Sequence, residues 1–416
     1  MDPHTGRRKQ SKGDSPRSTL TTNGRVSVTR TRWHCPGVGG GDTPVDRLLD
    51  AAEATLSRGV RELCCLLNGD APSFARAADN LLRTTGVRLC AESLRRVVEG
   101  EGISVLGQCA SGSLSPDWGA ADCPAGEGAP APAGAPAPAG AGQSRIYLGC
   151  DGFTAAMITA AEKKLRRKKV RDQRRRKRPA GKAKPLPLPA ARAGADQKFK
   201  EFKLVTFYDE SATHRLVSVT RRDHHAAGRL MRRDGGRCGF AHADQRPAVV
   251  DGGPWIVNQI KRQSMPTTAI CLDFFHLAQN VHKARRDCFG EQDPAGLAWA
   301  GDLLHVAKHR GYDPLHDRLV EWRRSLRPPA KRRAAGLLLN YVTDRREMIA
   351  YPAFVKAGWQ IGSGPTESQC KQVPRRVKGR GKRWDGDNAE AVMALEAMRQ
   401  SGLDDAYWKN CAGRMN

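Results

Sequence analysis

The sequence predicts an α/β fold: a mixed β-sheet carrying an all-α insertion, preceded by a small helical domain with a helix-turn-helix-like pattern. Three observations predict it. Apolar residues recur at helical spacing between residues 44 and 99. Three strand-like runs, then two strand-then-helix units, follow between residues 145 and 276. A long helical stretch then precedes a Gly-Ser-Gly turn near residue 363.

Residues 1–31 are polar, charged and aperiodic, and are expected to form a disordered basic N-terminus. Residues 32–110 form the helical domain. VDRLLDAAEATLSRGVRELCCLL reads as a helix, Ser73 caps SFARAADNLLRTTG, and CAESLRRVVEG gives a second short helix. The turn near Thr85 and Gly86 makes a helix-turn-helix pattern in which Arg88, Arg95 and Arg96 would face DNA. An ordinary helical hairpin with solvated arginines is the alternative. Residues 111–143, with PAGEGAPAPAGAPAPAGAGQ, read as a Pro/Ala/Gly-rich linker.

Beyond the linker, residues 144–276 turn β-rich. RIYLGC, FKLVTFYDE and HRLVSVTRR read as strands, the last two joined by a hairpin at Asp209 to Ser211. PAVVD and TAICLD read as strands buried on both faces, each followed by a helical pattern. Three strands and then βα units is the order of a ribonuclease-H-like core. A basic segment over 163–200 interrupts it. KKLRRKKVRDQRRRKR holds twelve basic residues against Asp172 and, with PAGKAKPLPLPAARAGADQ, reads as a disordered loop touching phosphates without sequence preference. Residues 277–360 form the all-α insertion, and 361–416 the final core helix with a basic C-terminal segment.

With 70 Lys plus Arg against 43 Asp plus Glu, the net charge is +27 and the pI about 10.1. That balance favours nucleic acid or an anionic surface as partner. No uninterrupted apolar run is long enough to span a bilayer, and the first 25 residues lack the apolar stretch of a secretory signal. The expected location is the cytoplasm and the expected partner nucleic acid. The twelve cysteines follow no regular spacing and sit beside apolar neighbours, so reduced, mostly buried thiols are expected.

Three acidic residues carry the chemistry: Asp151 in IYLGCDGFT, Asp251 in PAVVDGGPWI and Glu367 in GWQIGSGPTES. In-line attack on a phosphodiester is assisted by two Mg²⁺ ions about 4 Å apart, bridged by carboxylates. Mg²⁺ takes hard oxygen ligands and keeps several waters, so three carboxylates suffice. The glycines after Asp151 and Asp251 are expected to leave room for a substrate backbone. Glu367 projects from a first helical turn in which Ser363 can cap and Pro365 fits. Its alternative reading is a capping-type glutamate paired with Lys371 at i+4. Asp273 in CLDFFHLAQN rivals Asp251 as the second carboxylate; its alternative is a helix N-cap, with His276 on the helix facing the core. Asp209, Asp385 and Asp387 sit in turn-like contexts and are expected to be solvated.

The run YPAFVKAGWQIGSGPTESQCKQVPRRVKGRGKRWDGDNAEAVMALEAMRQSGLDDAYW resembles the C-terminal block of bacterial insertion-sequence transposases of the ISKra type, relatives of the Mutator-like DDE enzymes. The similarity extends through LDFFHLAQNV, VVDGGPWI and YLGCDG, and takes in the region from PVDRLLD to SLRRVVEGEG. The resemblance implies a ribonuclease-H-like catalytic core, DNA strand cleavage and transfer at element ends, and Asp151, Asp251 and Glu367 as the DDE triad and metal ligands. In this family type the aspartate of the DG-x-WI element takes the second position, which supports Asp251. Mg²⁺ is the implied cofactor, with Mn²⁺ able to substitute, and the implied partners are terminal inverted repeats and target DNA bound by a homodimer or higher oligomer.

Lys371, Arg375, Arg376, Lys378, Arg380, Lys382 and Arg383 follow Glu367 and are expected to hold the phosphate backbone, with Trp384 stacking on a frayed base. Core packing is the alternative for Trp384. Family members carry an N-terminal cysteine-rich element, whereas here Cys35 stands without a second cysteine at Val38, so no zinc is expected. This departure also motivates the alternative of an eroded or domesticated DNA-binding protein that no longer cuts.

Overall fold

The computed structural model describes residues 6, 8–35, 41–43, 55–126, 143–178, 187, 188, 190 and 193–413. Expectations for 36–40, 44–54, 127–142 and most of 179–192 fall outside these residues, among them the position of Val38 and most of the Pro/Ala/Gly-rich linker. The chain divides into two units, Met1–Leu114 with Pro374–Asn416, and Ser115–Val373.

The first unit opens on a β-ribbon. β1 (Gln10–Thr21) pairs antiparallel with β2 (Gly24–His34) from Gln10↔His34 to Thr21↔Gly24, and a two-residue β3 (Gly41–Asp42) adds to β2. This corrects the expectation of disorder over 1–31. VSVTRTR alternates with period two and Asn23-Gly24 is a hairpin turn signal; the high polar content concealed both. Three helices follow: α1 (Arg58–Asp70), α2 (Phe74–Thr85) and α3 (Ala91–Ser111). Ser73 caps α2 by accepting from the Arg76 amide, and Gly86 ends it at φ 71°. α3 is longer than the short helix expected, because EGISVLGQC continues its apolar face.

Two C-terminal helices belong to this unit and not to the sheet: α13 (Gly386–Gln400) and α14 (Asp404–Gly413). The expected final core helix and basic C-terminal segment over 361–416 thus divide between the two units at Pro374. AVMALEAM is apolar around most of its circumference, so α13 is buried, and it packs chiefly on α3. A Cβ on Gly102 would lie 2.2 Å from the Ala391 carbonyl oxygen, so only glycine permits that approach.

The second unit is α/β, built on a five-stranded mixed sheet in the order β6-β5-β4-β7-β8. β4 (Tyr147–Ala156), β5 (Phe199–Tyr208) and β6 (Arg215–Thr220) are antiparallel; β7 (Pro247–Val250) and β8 (Ala269–Leu272) run parallel to β4 and to each other. All five lie where the apolar runs placed strands. Residues 115–126, expected in the linker, are instead part of this unit: Cys123 is fully buried and Trp118 packs 5.5 Å from the His214 ring.

After β4 the chain forms α4 (Ala160–Arg176), which corrects the disorder expected over 163–176. Thr159 accepts from the Glu162 amide while Glu162 accepts from the Thr159 amide, a capping box that TAAE spells out. α5 (His224–Arg237) and α6 (Pro254–Arg262) pack together, α5 also against β5 and β6. α7 (Phe274–Phe289), α8 (Pro294–Arg310), α9 (Tyr312–Ser325) and α10 (Pro329–Thr343) form the expected helical insertion, held by the Phe289, Trp299 and Trp322 rings. The short α11 (Tyr351–Lys356) and then α12 (Gly364–Gln372) return to the sheet. All twelve cysteines are free and seven are buried. Among the described residues no helix is long and apolar enough to cross a membrane.

Candidate functional site

Sheet register assembles the acidic residues. β4 meets β7 at Leu148↔Ala248, and β7 meets β8 through Val250↔Leu272. Counting forward along these parallel strands brings Asp151, Asp251 and Asp273 to one level on three neighbouring chains. Asp151 lies inside β4, because the pairing with β5 continues to Ala156↔Phe199. Asp251 and Asp273 each follow the last residue of their strand.

α12 lies over β4 and contributes Glu367. A Cβ on Gly149 would stand 1.9 Å from Thr366 Oγ1 and 2.9 Å from Thr206 Cγ2. Glycine at this position is therefore what lets the helix settle on the strand. One turn beyond Thr366, the Cys370 thiol hydrogen-bonds to Asp151. Ser363 precedes α12 but makes no side-chain cap; its amide donates to Asp273 Oδ1 at 2.6 Å. Glu367 Oε2 is 3.8 Å from Lys371 Nζ, so the i+4 pairing read from the sequence also forms.

Asp273 is buried and accepts three hydrogen bonds: from the Ser363 amide, from the His276 amide at 2.9 Å and from His276 Nδ1 at 2.6 Å. It is thus the N-cap of α7 and also the anchor of the loop leading to Glu367. Potential ligand atoms of Asp273, His276 and Glu367 lie within 4.8 Å of one another. Asp251 accepts from the Gly253 amide at 2.7 Å and remains only partly buried. With Asp273 occupied by three donors, Asp251 has more acceptor capacity to spare than Asp273.

The electrostatics mark one cluster. Burial raises the Asp151 carboxyl above its ordinary range and the Asp251 charge adds to this, only partly opposed by the Gly152 amide, the Cys370 thiol and His276. Hydrogen bonding to Asp273 raises His276, helped by the charges of Asp251 and Asp151 and opposed by burial. Burial acts to raise Asp273, but the hydrogen bonds from His276 and Ser363 outweigh it and hold the carboxyl below its usual range. The Asp251 charge thus adds to the proton affinity of Asp151, and a cation bound there would remove that penalty.

The glycines beside the aspartates have a different role from the one expected. The space next to Gly152 is filled by Glu201, whose Oε1 would be 2.5 Å from an added Cβ. Gly252, at φ 75°, makes way for Leu272 and for Arg345, whose Nε would be 2.6 Å from an added Cβ. This places a guanidinium, stacked 3.9 Å over the Tyr341 ring, against the Gly252 backbone.

A buried network steadies the segment before α12. Arg145 donates to Gln245 at 2.7 Å, to Glu210 at 2.5 Å, and to the carbonyls of Ala357 and Gly358. Tyr147 joins through Glu210 and the Gln360 amide, and Trp359 donates to Gln245. Arg145, His276, Arg345 and Cys370 were not singled out as site residues in the sequence. An arginine opening an apolar strand was the available signal for the first. Asp209, expected to be solvated, is buried and accepts from Ser211 and His214.

The proposed DNA-contacting residues divide. Lys371 is exposed, as are Arg88, Lys378 and Arg380. Arg375 is paired with Asp70. Arg96 is exposed beside Glu92, whereas Arg95 is held between Glu92 and Glu99. Lys382 donates to the Arg376 carbonyl and is half-buried, as is Arg383. Arg376 and Trp384 are corrections. Trp384 is buried, donates to the Val377 carbonyl and meets Phe74 edge-on at 5.7 Å. Arg376 lies over both rings and donates to Asn68, and burial lowers it to about 10. These two side chains form core in the first unit, so neither presents a surface to a base. Cys35 is buried.

In comparisons with known proteins, no family model matches the chain and no curated protein matches its sequence.

Proposed function

We propose that this chain is a DDE transposase of an insertion sequence, with a ribonuclease-H-like core that cuts and joins DNA at element ends. The observation that carries the reading is the shared level of Asp151, Asp251 and Asp273 across three adjacent strands, with Glu367 brought in from a helix on the far side of an all-α insertion. The strand order, antiparallel for β6, β5 and β4 and parallel for β4, β7 and β8, supports the core assignment. The +27 charge supports a polyanionic substrate.

The donor set fits Mg²⁺: hard carboxylate oxygens, mutually repelling and partly open. Asp151, Asp251 and Glu367 would hold it. When bound, two such ions stabilise the attacking and leaving oxygens of an in-line phosphoryl transfer. Asp273 is a positioning residue. Its bonds to Ser363 and His276 hold the α12 approach and the α7 N-terminus together, so that Glu367 and the two ligand aspartates keep their separation. Two transfers make up the reaction: water attacks a phosphodiester at the element end and displaces a 3′-hydroxyl, and that hydroxyl attacks a phosphodiester of target DNA and displaces the target strand's own 3′-hydroxyl. Exposed Arg88, Lys371, Lys378 and Arg380 contribute phosphate contacts, and pairing two ends calls for at least a dimer acting on the bacterial nucleoid.

The test is cleavage of labelled DNA from the flanks of the gene with Mg²⁺, Mn²⁺ or chelator, by the wild type and by Glu367→Gln. Metal-dependent cleavage that the substitution lowers by at least about 10²-fold, with DNA binding retained, supports the proposal. DNA bound but uncut with either metal overturns it in favour of a binding protein.

A further inference from the structure

α4 leaves the sheet directly after the strand that bears Asp151, and the acidic cluster makes no use of it. Its seventeen residues, AAEKKLRRKKVRDQRRR, contain ten Lys and Arg, against Glu162 and Asp172. Glu162 is consumed in the capping box with Thr159. No residue of the helix is buried, and its larger apolar side chains, Leu165 and Val170, are 55% and 40% exposed. A helix that is polar all round lacks the packing that ordinarily stabilises one.

Its internal charge pattern makes matters worse. Lys163 with Arg167, Lys164 with Lys168, Arg167 with Arg171 and Arg171 with Arg175 are like-charge pairs at i and i+4, each unfavourable to an isolated helix. Lys163 and Arg167 also donate to the carbonyls of Ala193 and Leu188, which tether the start of the helix. Lys164, Arg166, Lys168, Lys169, Arg171 and Arg175 are exposed to solvent. At 100° per residue Lys164, Lys168, Arg171 and Arg175 fall within about 60° of one another, while Arg166 and Lys169, with the equally exposed Arg174 and Arg176, occupy the rest of the circumference.

We infer that α4 is an arm that lies in the major groove of duplex DNA, and that the phosphates on both sides of the groove stabilise its helical form. The inference rests on the DNA reading above and names the element that grips the duplex. A helix about 10–12 Å across matches the major groove of B-DNA, about 12 Å wide. Charge around the circumference suits a groove flanked by two phosphate strands, whereas a single basic stripe would suit one backbone. The deep, narrow major groove of A-form RNA does not admit the helix. At about 1.5 Å per residue the arm is roughly 25 Å long, within one turn of duplex. The side chains offer charge and few groups suited to base edges, so the arm grips without sequence preference.

The experiment uses the full chain in chelator, so that cleavage plays no part. Affinity for a random-sequence DNA duplex is measured against salt for the wild type, for a variant with Arg166→Gln, Lys169→Gln, Arg171→Gln and Arg175→Gln, and for one with Arg166→Lys, Arg171→Lys and Arg175→Lys. The neutralised variant is expected to lose up to about 3.6 from the slope of log K against log salt, at about 0.9 per phosphate contact, while the lysine variant keeps the wild-type slope. Hydrogen exchange at amides 164–176 is expected to slow at least tenfold on DNA and to stay unchanged on an RNA duplex. An unchanged slope in the neutralised variant overturns the proposal, as does equal protection by RNA. The outcomes separate from those of the transposase reading: a wild type that never cuts DNA but shows these slopes retains the arm and loses the enzyme.

Discussion

Asp151 and Asp251 stand at the same level of neighbouring parallel chains, three residues beyond the Leu148↔Ala248 pair, and the Asp251 charge adds to the burial that raises the Asp151 carboxyl. Such a pair is poorly stable as two bare anions, and this tension is what a cation would relieve. Asp273 occupies the next chain at that level but is already satisfied by Ser363 and His276.

The two aspartates should therefore respond differently to amide substitution. Asp251→Asn is expected to abolish metal-dependent cleavage while leaving the melting temperature in chelator unchanged or higher, since it removes a repulsive charge. Asp273→Asn is expected to lower the melting temperature and to reduce cleavage by about 10–100-fold, as loss of an orienting partner does. Thermal unfolding and single-turnover cleavage of both variants check this; a stable Asp273→Asn protein with no cleavage at all would move the second ligand to Asp273.

The pair of Asp273 and His276 gives a pH signature. His276 is raised in the folded state, so its stabilisation is fully present below the unfolded value of about 6.5 and is lost as pH rises through the raised folded value. Asp273 is lowered, so its contribution is present above about 3.9 and is lost as pH falls through the lower folded value. In chelator, the melting-temperature gap between wild type and His276→Gln is expected to be widest between about pH 4 and 6.5. A gap that widens steadily from pH 7 to 9 would contradict the pairing.

Trp384 tests the corrected assignment of the basic C-terminal segment. Trp384→Ala is expected to destabilise the protein by about 3–5 kcal/mol, as truncation of a buried aromatic does, because Phe74 and Arg376 lose the ring they pack on. At a temperature where the variant stays folded, the salt dependence of its DNA affinity should match the wild type. A stable variant with weakened DNA binding would return Trp384 to the surface.

The amino-acid sequence by itself determined the five strands of the sheet unit and the helical insertion, and it singled out Asp151, Asp251 and Glu367 as candidates. Each rests on a local signal: a short apolar run, a helical period, or an acidic residue at a glycine-rich turn. Two further signals were equally local but hidden by charge, namely the alternation of VSVTRTR in the β-ribbon and the capping box of Thr159 and Glu162 opening α4. Tertiary structure alone decided the rest. The common level of the three aspartates depends on register between strands whose aspartates lie 100 and 22 residues apart in the chain, which no single strand encodes. Arg145 reaches Gly358 across 213 residues and Arg376 reaches Asn68 across 308, so whether each arginine faces water or fills a core follows from which distant backbone closes over it.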